Sequence, residues 1–455
     1  MKLMFRLLLA ASVFAGALAP APAQELRKIF PYRYVQEDLP NGLRLISTPT
    51  DYPNLAAVYI VVRTGSRNEV EPGKSGFAHL FEHLMFRGTE KFPTSRYEET
   101  MKKAGAASNA YTSDDLTVYH TTFSKEDLET VLGMEADRFQ NLKVSPAEFQ
   151  TETQAVLGEY NKNSSNPEYK LEEVLRETAF DRHTYRHTTM GFLKDIQDMP
   201  NQYEYSLKFF DRYYRPEYTT IVVAGDIEPK KVRALVDRYW GGWKRGSFEP
   251  QVPADPAQEA PRKAHVNWPN PTLPWVVVSW RAPAYSDTDL DSAALDLVTF
   301  VGFSENSELY QKLVIQEQKV DMLGAFREDH IDPYLFSVYG RVKKPADVEY
   351  VRDQILATVE RLRSRPVDAA RLEAVKNNVR YSFSLGLDDS QSVAAVAARY
   401  VALRRTPETI NDIYDLYAKV TPTDLQRAAS RHLGEKTRTI VTLSGAAAAA
   451  SGAGK

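Results

Sequence analysis

The sequence predicts an α+β protein that is built from two similar halves. Strand-like runs such as AAVYIVVRTG, PWVVVSW and YLFSVYGRV alternate with long helical patterns, for example at 347–363 and 367–385. The runs TTIVVAG and TRTIVTLSG occupy matching places near the end of each half, with Ile221 and Ile440 219 residues apart. One matching strand on its own is a weak sign of duplication. Between the halves, SFEPQVPADPAQEAPRK has the composition of a linker.

These features divide the chain into an N-terminal domain at 24–246, a linker at 247–263 and a C-terminal domain at 264–445. The last residues, 446–455, are rich in Ala and Gly and are predicted to form a disordered tail. A chain of 455 residues is too long for one ordinary core, which agrees with this division. The net charge of −3 provides no basic footprint for nucleic acid.

Residues 1–23 are predicted to form a signal peptide. Lys2 and Arg6 supply the positive start, the run 7–18 is apolar, and Ala21-Pro22-Ala23 forms a small-x-small cleavage site. The alternative is an uncleaved anchor, but the apolar run is short for a span of about twenty residues. The chain has no cysteine, so it has neither a lipid-attachment site nor a disulfide. We therefore expect export to a bacterial-type periplasm, with no membrane insertion after cleavage.

The stretch HLFEH carries the chemistry. On a helix, His79 and His83 lie one turn apart on the same face, and Glu82 lies on the same stripe. Two imidazoles beside a carboxylate base suit metal-assisted hydrolysis, and the order H-x-x-E-H is that of the inverzincins. The alternative is a surface helix with solvated histidines, yet the flanking residues predict a buried one. Ser75 is the expected N-cap and Gly88 the expected stop. The flanking apolar residues are Leu80, Phe81, Leu84, Met85 and Phe86.

A metal site with an open position for water needs a third protein ligand. Ser145-Pro146 followed by Glu148 is typical of the start of a long helix. On this helix Glu152 and Glu159 are seven residues apart, so they lie nearly on one stripe and about 10 Å apart along the axis. One ion cannot bind both. The spacing alone does not decide which of them is the ligand and which at most orients a histidine.

H-x-x-E-H followed about 76 residues later by a glutamate resembles the signature of the pitrilysin/insulinase metallopeptidases, which include mitochondrial processing peptidase. The blocks GFAHLFEHLMFRGTEKFP and AGAASNAYTSDDLTVYHTTF are similar to family blocks as well. The resemblance implies Zn2+ held by His79, His83 and Glu159, with Glu82 as the catalytic base. It further implies that Glu152 does not bind the zinc itself but orients one of its ligands.

The same resemblance implies two homologous halves, each a mainly antiparallel sheet flanked by helices, arranged as a clam-like chamber with a partner subunit. A peptide substrate is expected to add as a strand to an open sheet edge, where Asn109 and Ala110 match the family's Asn-Ala. Glu82 would take a proton from the metal-bound water and pass it to the leaving amine. Two imidazoles and one carboxylate favour zinc, although manganese or cobalt could bind.

The second half departs from the family pattern. Active members carry L-R-x-x-E-Q-x-x-Y, whose Arg and Tyr bind the substrate and its oxyanion. The matching stretch here is LVIQEQKVD, in which Val314 replaces the Arg and Asp321 replaces the Tyr. Loss of one oxyanion donor typically costs about 100- to 1000-fold in rate. Some members of the family that this chain resembles pair a zinc subunit with a metal-free homologous subunit, which in the bacterial pairs carries the Arg and Tyr. The resemblance therefore implies a zinc endopeptidase subunit that forms a heterodimer with such a metal-free subunit.

Two other interpretations stay open. The chain could be a self-sufficient, homo-oligomeric protease, or a non-catalytic, metal-containing assembly or binding subunit. The presence of Glu82, which a structural zinc site does not need, favours catalysis. His183 and His187 also show i,i+4 spacing and are candidates for a second metal site, although no glutamate stands at a matching offset.

Overall fold

The structure, a computed structural model, describes residues 28–446. The predicted signal peptide at 1–23 and residues 447–455 of the predicted tail lie outside the described residues. Within the described part, the chain forms two separate sheets, and no helix there is both long and apolar enough to cross a membrane.

The first sheet has six strands in the order β1-β2-β6-β3-β5-β4. The pair β2 and β6 is parallel and all other neighbours are antiparallel. Strand β4 lies at one edge, because it pairs with β5 alone. The strands are β1 Val35–Asp38, β2 Arg44–Pro49, β3 Leu55–Val62, β4 Ala107–Thr112, β5 Thr117–Ser124 and β6 Thr219–Gly225.

The second sheet repeats this plan with five strands in the order β7-β11-β8-β10-β9, in which β7 and β11 are the parallel pair. Ile221 pairs with Ile60 in the first sheet, and Ile440 pairs with Val278 at the equivalent place in the second. The predicted fold class of two homologous halves is therefore confirmed. The strands are β7 Arg262–Trp268, β8 Trp275–Ala282, β9 Val320–Arg327, β10 Tyr334–Val342 and β11 Arg438–Gly445.

Helices follow the strands in both halves. Those of the first half are α1 Phe77–Leu84, α2 Thr94–Lys103, α3 Leu128–Asn141, α4 Pro146–Asn163, α5 Pro167–Ala179, α6 Leu193–Asp198, α7 Tyr203–Tyr213 and α8 Pro229–Trp240. Those of the second half are α9 Leu290–Phe303, α10 Glu308–Tyr310, α11 Val348–Ser364, α12 Ala369–Leu385, α13 Ser390–Arg404, α14 Glu408–Lys419 and α15 Pro422–His432. Helix α10 continues directly into a π-helical turn at Gln311–Gln316.

Each sheet is covered on one face by helices of its own half and on the other face by a helix of the opposite half. Alternate residues of β3 point to opposite faces, so Val58 and Ile60 pack under α1 whereas Tyr59 and Val61 pack under α13. In the second sheet, Val441 and its neighbours pack against α5. Helix α5 of the first half thus packs on the second sheet, and helix α13 of the second half packs on the first sheet. The two halves therefore share their hydrophobic cores.

The segment predicted to be a linker crosses this interface. Residues 247–261 form no helix or strand, and β7 begins at Arg262. The side chain of Asp255 is buried there, and its Oδ1 accepts hydrogen bonds from the backbone N–H groups of Asp181, Arg182 and His183 at 2.9, 2.7 and 2.9 Å. Its other oxygen accepts from Arg281. The segment is therefore fixed to both halves. At the C-terminal end of the described residues, Ala446 N donates a hydrogen bond to Trp268 O at 3.0 Å.

Candidate metal centre

Helix α1 carries HLFEH, and its first turn is held by residues that precede it. Gly76 is the N-cap at φ +92°, and a Cβ there would lie 2.7 Å from the Met190 carbonyl oxygen, so the position requires glycine. The buried Glu69 carboxylate accepts hydrogen bonds from Gly76 N and Ala78 N, both at 2.8 Å. The predicted N-cap at Ser75 is wrong, because its hydroxyl donates to Asp195 at 2.6 Å instead.

The end of this helix follows the predicted pattern. Helix α1 ends at Leu84, a 3-10 turn covers Met85–Arg87, and the chain then leaves through Gly88 at φ +85°. The predicted stop at Gly88 is therefore confirmed. A side chain at Gly88 would also meet the Phe92 carbonyl oxygen at 2.5 Å.

Helix α4 starts where the sequence predicts. Ser145 Oγ accepts from Glu148 N at 3.2 Å, the Glu148 carboxylate accepts from Ser145 N at 2.8 Å, and Pro146 is the first helical residue. The helix packs across α1 and turns both Glu152 and Glu159 toward the two histidines.

The structure brings His79, His83 and Glu159 together. Glu159 Oε2 lies 3.5 Å from His79 Nε2 and 3.5 Å from His83 Nε2. Ligand atoms of all three residues lie within 4.8 Å of one another, and the two imidazole rings stand nearly perpendicular, with centroids 4.9 Å apart. Three donors from two helices thus face a common point.

These separations suit a metal ion better than a set of hydrogen bonds. Two donors about 2.1 Å from a tetrahedral ion stand about 3.4 Å apart, close to the observed spacing. Burial, reinforced by the nearby His83, lowers the pKa of His79 to about 3, so its imidazole is neutral at neutral pH. A neutral imidazole is the form that binds a metal.

Glu152 lies on the other side of His83. Its Oε2 is 3.4 Å from His83 Nδ1, while its Oε1 accepts a hydrogen bond from Arg87. His83 therefore faces Glu159 with one ring nitrogen and Glu152 with the other. This arrangement favours a proton on Nδ1 and leaves the Nε2 lone pair available to a metal.

Glu82 projects into a cleft of about 360 Å³ beside these residues. Thr112 Oγ1, at the end of β4, donates a hydrogen bond to Glu82 Oε2 at 2.8 Å. Burial raises the pKa of Glu82 above its ordinary value, although the bond from Thr112 acts in the opposite direction. The cleft is lined by Glu82, His83, Phe86, Arg87, Thr94, Glu98 and Glu152.

Asn109 and Ala110 lie on the edge strand β4, whose last residue, Thr112, contacts Glu82. Asn109 is exposed and its Oδ1 accepts from Ala110 N at 2.9 Å, while Ala110 is buried against the core under α1. Sequence reasoning missed Thr112 and Arg87. Thr112 lies in the same NAYTS run, but nothing in its spacing indicates contact with a residue 30 positions away.

The remaining candidates lie elsewhere. Val314 packs against the core of the second half, and Asp321 forms an ion pair with Arg341 at 2.9 Å. His183 and His187 do not share a site: His183 Nε2 is 3.0 Å from Asp332, whereas His187 lies near Glu69. A second group that could hold a metal comprises Asp114, Glu328 and His330, but Asp114 is already paired with the Arg176 guanidinium at 2.8 Å.

Two repeated α+β halves with an inverted histidine-glutamate motif define a chain of the metallopeptidase class. Residues 44–192 match the family description Insulinase (Peptidase family M16), and residues 202–379 match Peptidase M16 inactive domain. The chain belongs to peptidase family M16, the insulinase family.

Individual relatives agree with this assignment. The zinc protease PqqE of Helicobacter pylori is 28% identical over 412 residues, which cover 89% of this chain and 91% of that protein. A probable mitochondrial-processing peptidase subunit beta of Arabidopsis thaliana is 25% identical over 418 residues, 88% of this chain and 76% of its own. The crystal structure of a protease from Helicobacter pylori superimposes with a TM-score of 0.85 at 27% identity and covers 91% of this chain and 99% of that one.

Proposed function

We propose that this chain is a zinc-dependent endopeptidase subunit that hydrolyses peptide bonds in short or unfolded peptides. The proposal rests on one observation: His79, His83 and Glu159 converge at metal-ligand spacing while Glu82 faces the adjoining cleft. A structural zinc site uses four protein ligands, whereas three ligands and a base are typical of a catalytic one.

His79 and His83 would hold the metal from α1, and Glu159 would hold it from α4. Zinc held there would supply a Lewis acid for the peptide carbonyl and for the attacking water. Glu82 would take a proton from the attacking water and deliver it to the leaving amine. Glu152 and Arg87 keep the His83 ring in its ligating orientation.

The substrate backbone is proposed to pair with the open edge of β4, at Asn109 and Ala110. An extended peptide gains main-chain hydrogen bonds from such an edge and places alternate side chains on its two faces. Folded proteins present few free strands, which is why short or unfolded peptides are the favoured substrates.

A partner subunit is part of the proposal. Val314 has no polar group, and the Asp321 carboxylate is an acceptor already paired with Arg341, so neither can donate to an oxyanion. A metal-free homologous subunit would supply the Arg and Tyr and close the clam-like chamber. The similar Arabidopsis thaliana protein is itself named a subunit. The signal-like N-terminus supports a periplasmic location for the complex.

The test is to purify the native complex, identify its partner and measure its metal content and peptide cleavage. The Glu82→Gln chain should keep its zinc and lose about 100-fold or more in kcat, because the base is gone. Glu90→Gln, which alters an exposed ion pair with Lys143, is the matched control and should retain activity. Peptide cleavage by the Glu82→Gln variant at the wild-type rate would show that Glu82 is not the base. Full activity of the single chain, unchanged by the partner, would favour the self-sufficient enzyme.

A further inference from the structure

Thr112 connects the strand that ends the sheet to the proposed base. It is the last residue of β4, and its hydroxyl is 2.8 Å from Glu82 Oε2 although the two residues are 30 positions apart. Across the sheet Thr112 pairs with Thr117 of β5, so its place is fixed by the strand ladder and not by a loop.

The carboxylate of Glu82 is oriented by Thr112. An ionised carboxylate only accepts hydrogen bonds, and within residues 28–446 the Thr112 hydroxyl is the side-chain donor to it, beside the backbone N–H of the same residue. A glutamate side chain has three rotatable bonds and loses considerable rotamer freedom when it is fixed. The Thr112 hydroxyl holds Oε2, and so leaves Oε1 for the reacting water.

We propose that Thr112 is a positioning residue that holds the general base in register with the substrate-binding strand. This inference rests on the proposed function, because it assigns Thr112 a role toward Glu82 in peptide hydrolysis. Asn109 and Ala110, at which the peptide backbone is proposed to pair, belong to the same strand. One strand thus sets the position of both the substrate and the base.

Removal of the hydroxyl should affect catalysis more than substrate binding. Thr112 does not line the cleft, so KM should change less than about twofold. A misplaced catalytic group can cost about 100-fold in rate, so Thr112→Val should lower kcat by about 10- to 100-fold. The valine keeps the branched shape that suits a strand. Thr112→Ser keeps the hydroxyl and should restore kcat to within a few-fold.

The matched control is Thr122→Val on the neighbouring strand β5. Thr122 also loses a hydroxyl hydrogen bond, to Gln391 at 3.2 Å, but it lies at the opposite end of the β4–β5 pair, across from Ala107. Its kcat and KM should match those of the wild type. Zinc content, measured on every variant, should stay at the wild-type level.

A second readout needs no activity. In the metal-free chain, a double-mutant cycle of Thr112→Val and Glu82→Ala on the unfolding equilibrium measures their coupling, because each substitution removes one partner of the hydrogen bond. Each single substitution lowers the folding equilibrium constant by some factor. In the double variant, the factor should be about fivefold smaller than the product of the two single factors. If Thr112→Val does not fold, Thr112→Ala takes its place, and it must lose kcat while Thr112→Ser does not.

The outcomes separate the two proposals. Wild-type kcat in Thr112→Val, with Glu82→Gln inactive, would overturn the role of Thr112 and leave the proposed function standing. A double-mutant cycle without coupling between the two residues would overturn that role in the same way. A wild-type complex that binds zinc and cleaves no peptide would overturn both.

Discussion

Asp114 of the first half lies 3.0 Å from His330 Nε2 of the second half, 216 residues away along the chain. Both side chains are buried, and Asp114 also accepts hydrogen bonds from Arg176 at 2.8 and 3.0 Å and from Ser66 at 2.7 Å. A buried carboxylate that is paired across an interface makes the contact between the halves depend on charge.

This pair should make stability depend on pH. Burial acts to lower the pKa of His330, but the hydrogen bond and charge of Asp114 outweigh it and hold this pKa above its ordinary value. Because the folded value exceeds the unfolded one, the stabilisation is complete below the unfolded pKa of about 6.5 and is lost as pH rises through the folded value. As pH rises above about 6.5, the Tm of the wild type should therefore fall more steeply than that of His330→Gln.

The control for this measurement is His265→Gln, an exposed histidine that contacts Thr442 and Ser444 on the second sheet. Its Tm should follow the wild-type pH profile. Parallel profiles for wild type and His330→Gln would contradict the proposed charge dependence.

Asp255→Ala should release the segment between the halves. The substitution leaves three backbone N–H groups and the Arg281 guanidinium without their acceptor. A buried ion pair that loses one partner typically costs several kcal/mol, so we expect a loss of about 2–4 kcal/mol in the free energy of unfolding, measured in urea. Asp181→Asn, which breaks an exposed ion pair with Arg262 nearby, should cost less than about 1 kcal/mol. Equal losses would refute the special role of Asp255.

Glu152→Gln should weaken metal binding without abolishing it. Glu152 orients His83 through Nδ1 and does not lie among the three converging donors. Loss of such an outer contact typically lowers metal affinity by about 10- to 100-fold. Competition with a chelator should show this decrease, a far larger loss for Glu159→Gln, and none for the helix-capping control Glu148→Gln. A Glu152→Gln variant with wild-type affinity would show that His83 needs no such support.

Glu69→Gln should destabilise the start of α1. The glutamine amide can accept a hydrogen bond from one of the two backbone N–H groups, but it presents its own N–H to the other. We expect this mismatch to lower the free energy of unfolding by about 1–3 kcal/mol. Burial raises the pKa of Glu69 to about 8. The folded state therefore holds this proton more tightly than the unfolded state, and stability falls as pH rises from about 4.5 to 8.

The Glu69→Gln variant has no carboxyl at this position. Its free energy of unfolding in urea should therefore lack the decrease with pH that the titration of Glu69 causes. Glu71→Gln, which alters a partly exposed ion pair with Arg212, should keep it. A wild-type slope in Glu69→Gln would assign the titration to another group.

Local rules predicted much of the site. The i,i+4 spacing placed His79 and His83 on one face of α1, and the capping box located the start of α4. The N-terminus of α1 was predicted wrongly, because Ser75 has a stronger partner in Asp195 from a distant element. Capping rules consider only neighbours in sequence, and here a tertiary contact competes with them.

The sequence by itself determined the alternation of strands and helices, the helical spacing of the histidines and the stripe that Glu152 shares with Glu159, because short-range periodicity encodes all three. Only the tertiary structure decided that Glu159 meets both imidazoles, that Thr112 reaches Glu82, and that α5 and α13 are exchanged between the halves. These relationships depend on how distant segments pack, and the free energy of that packing is distributed over whole cores and not written in the spacing of any few residues.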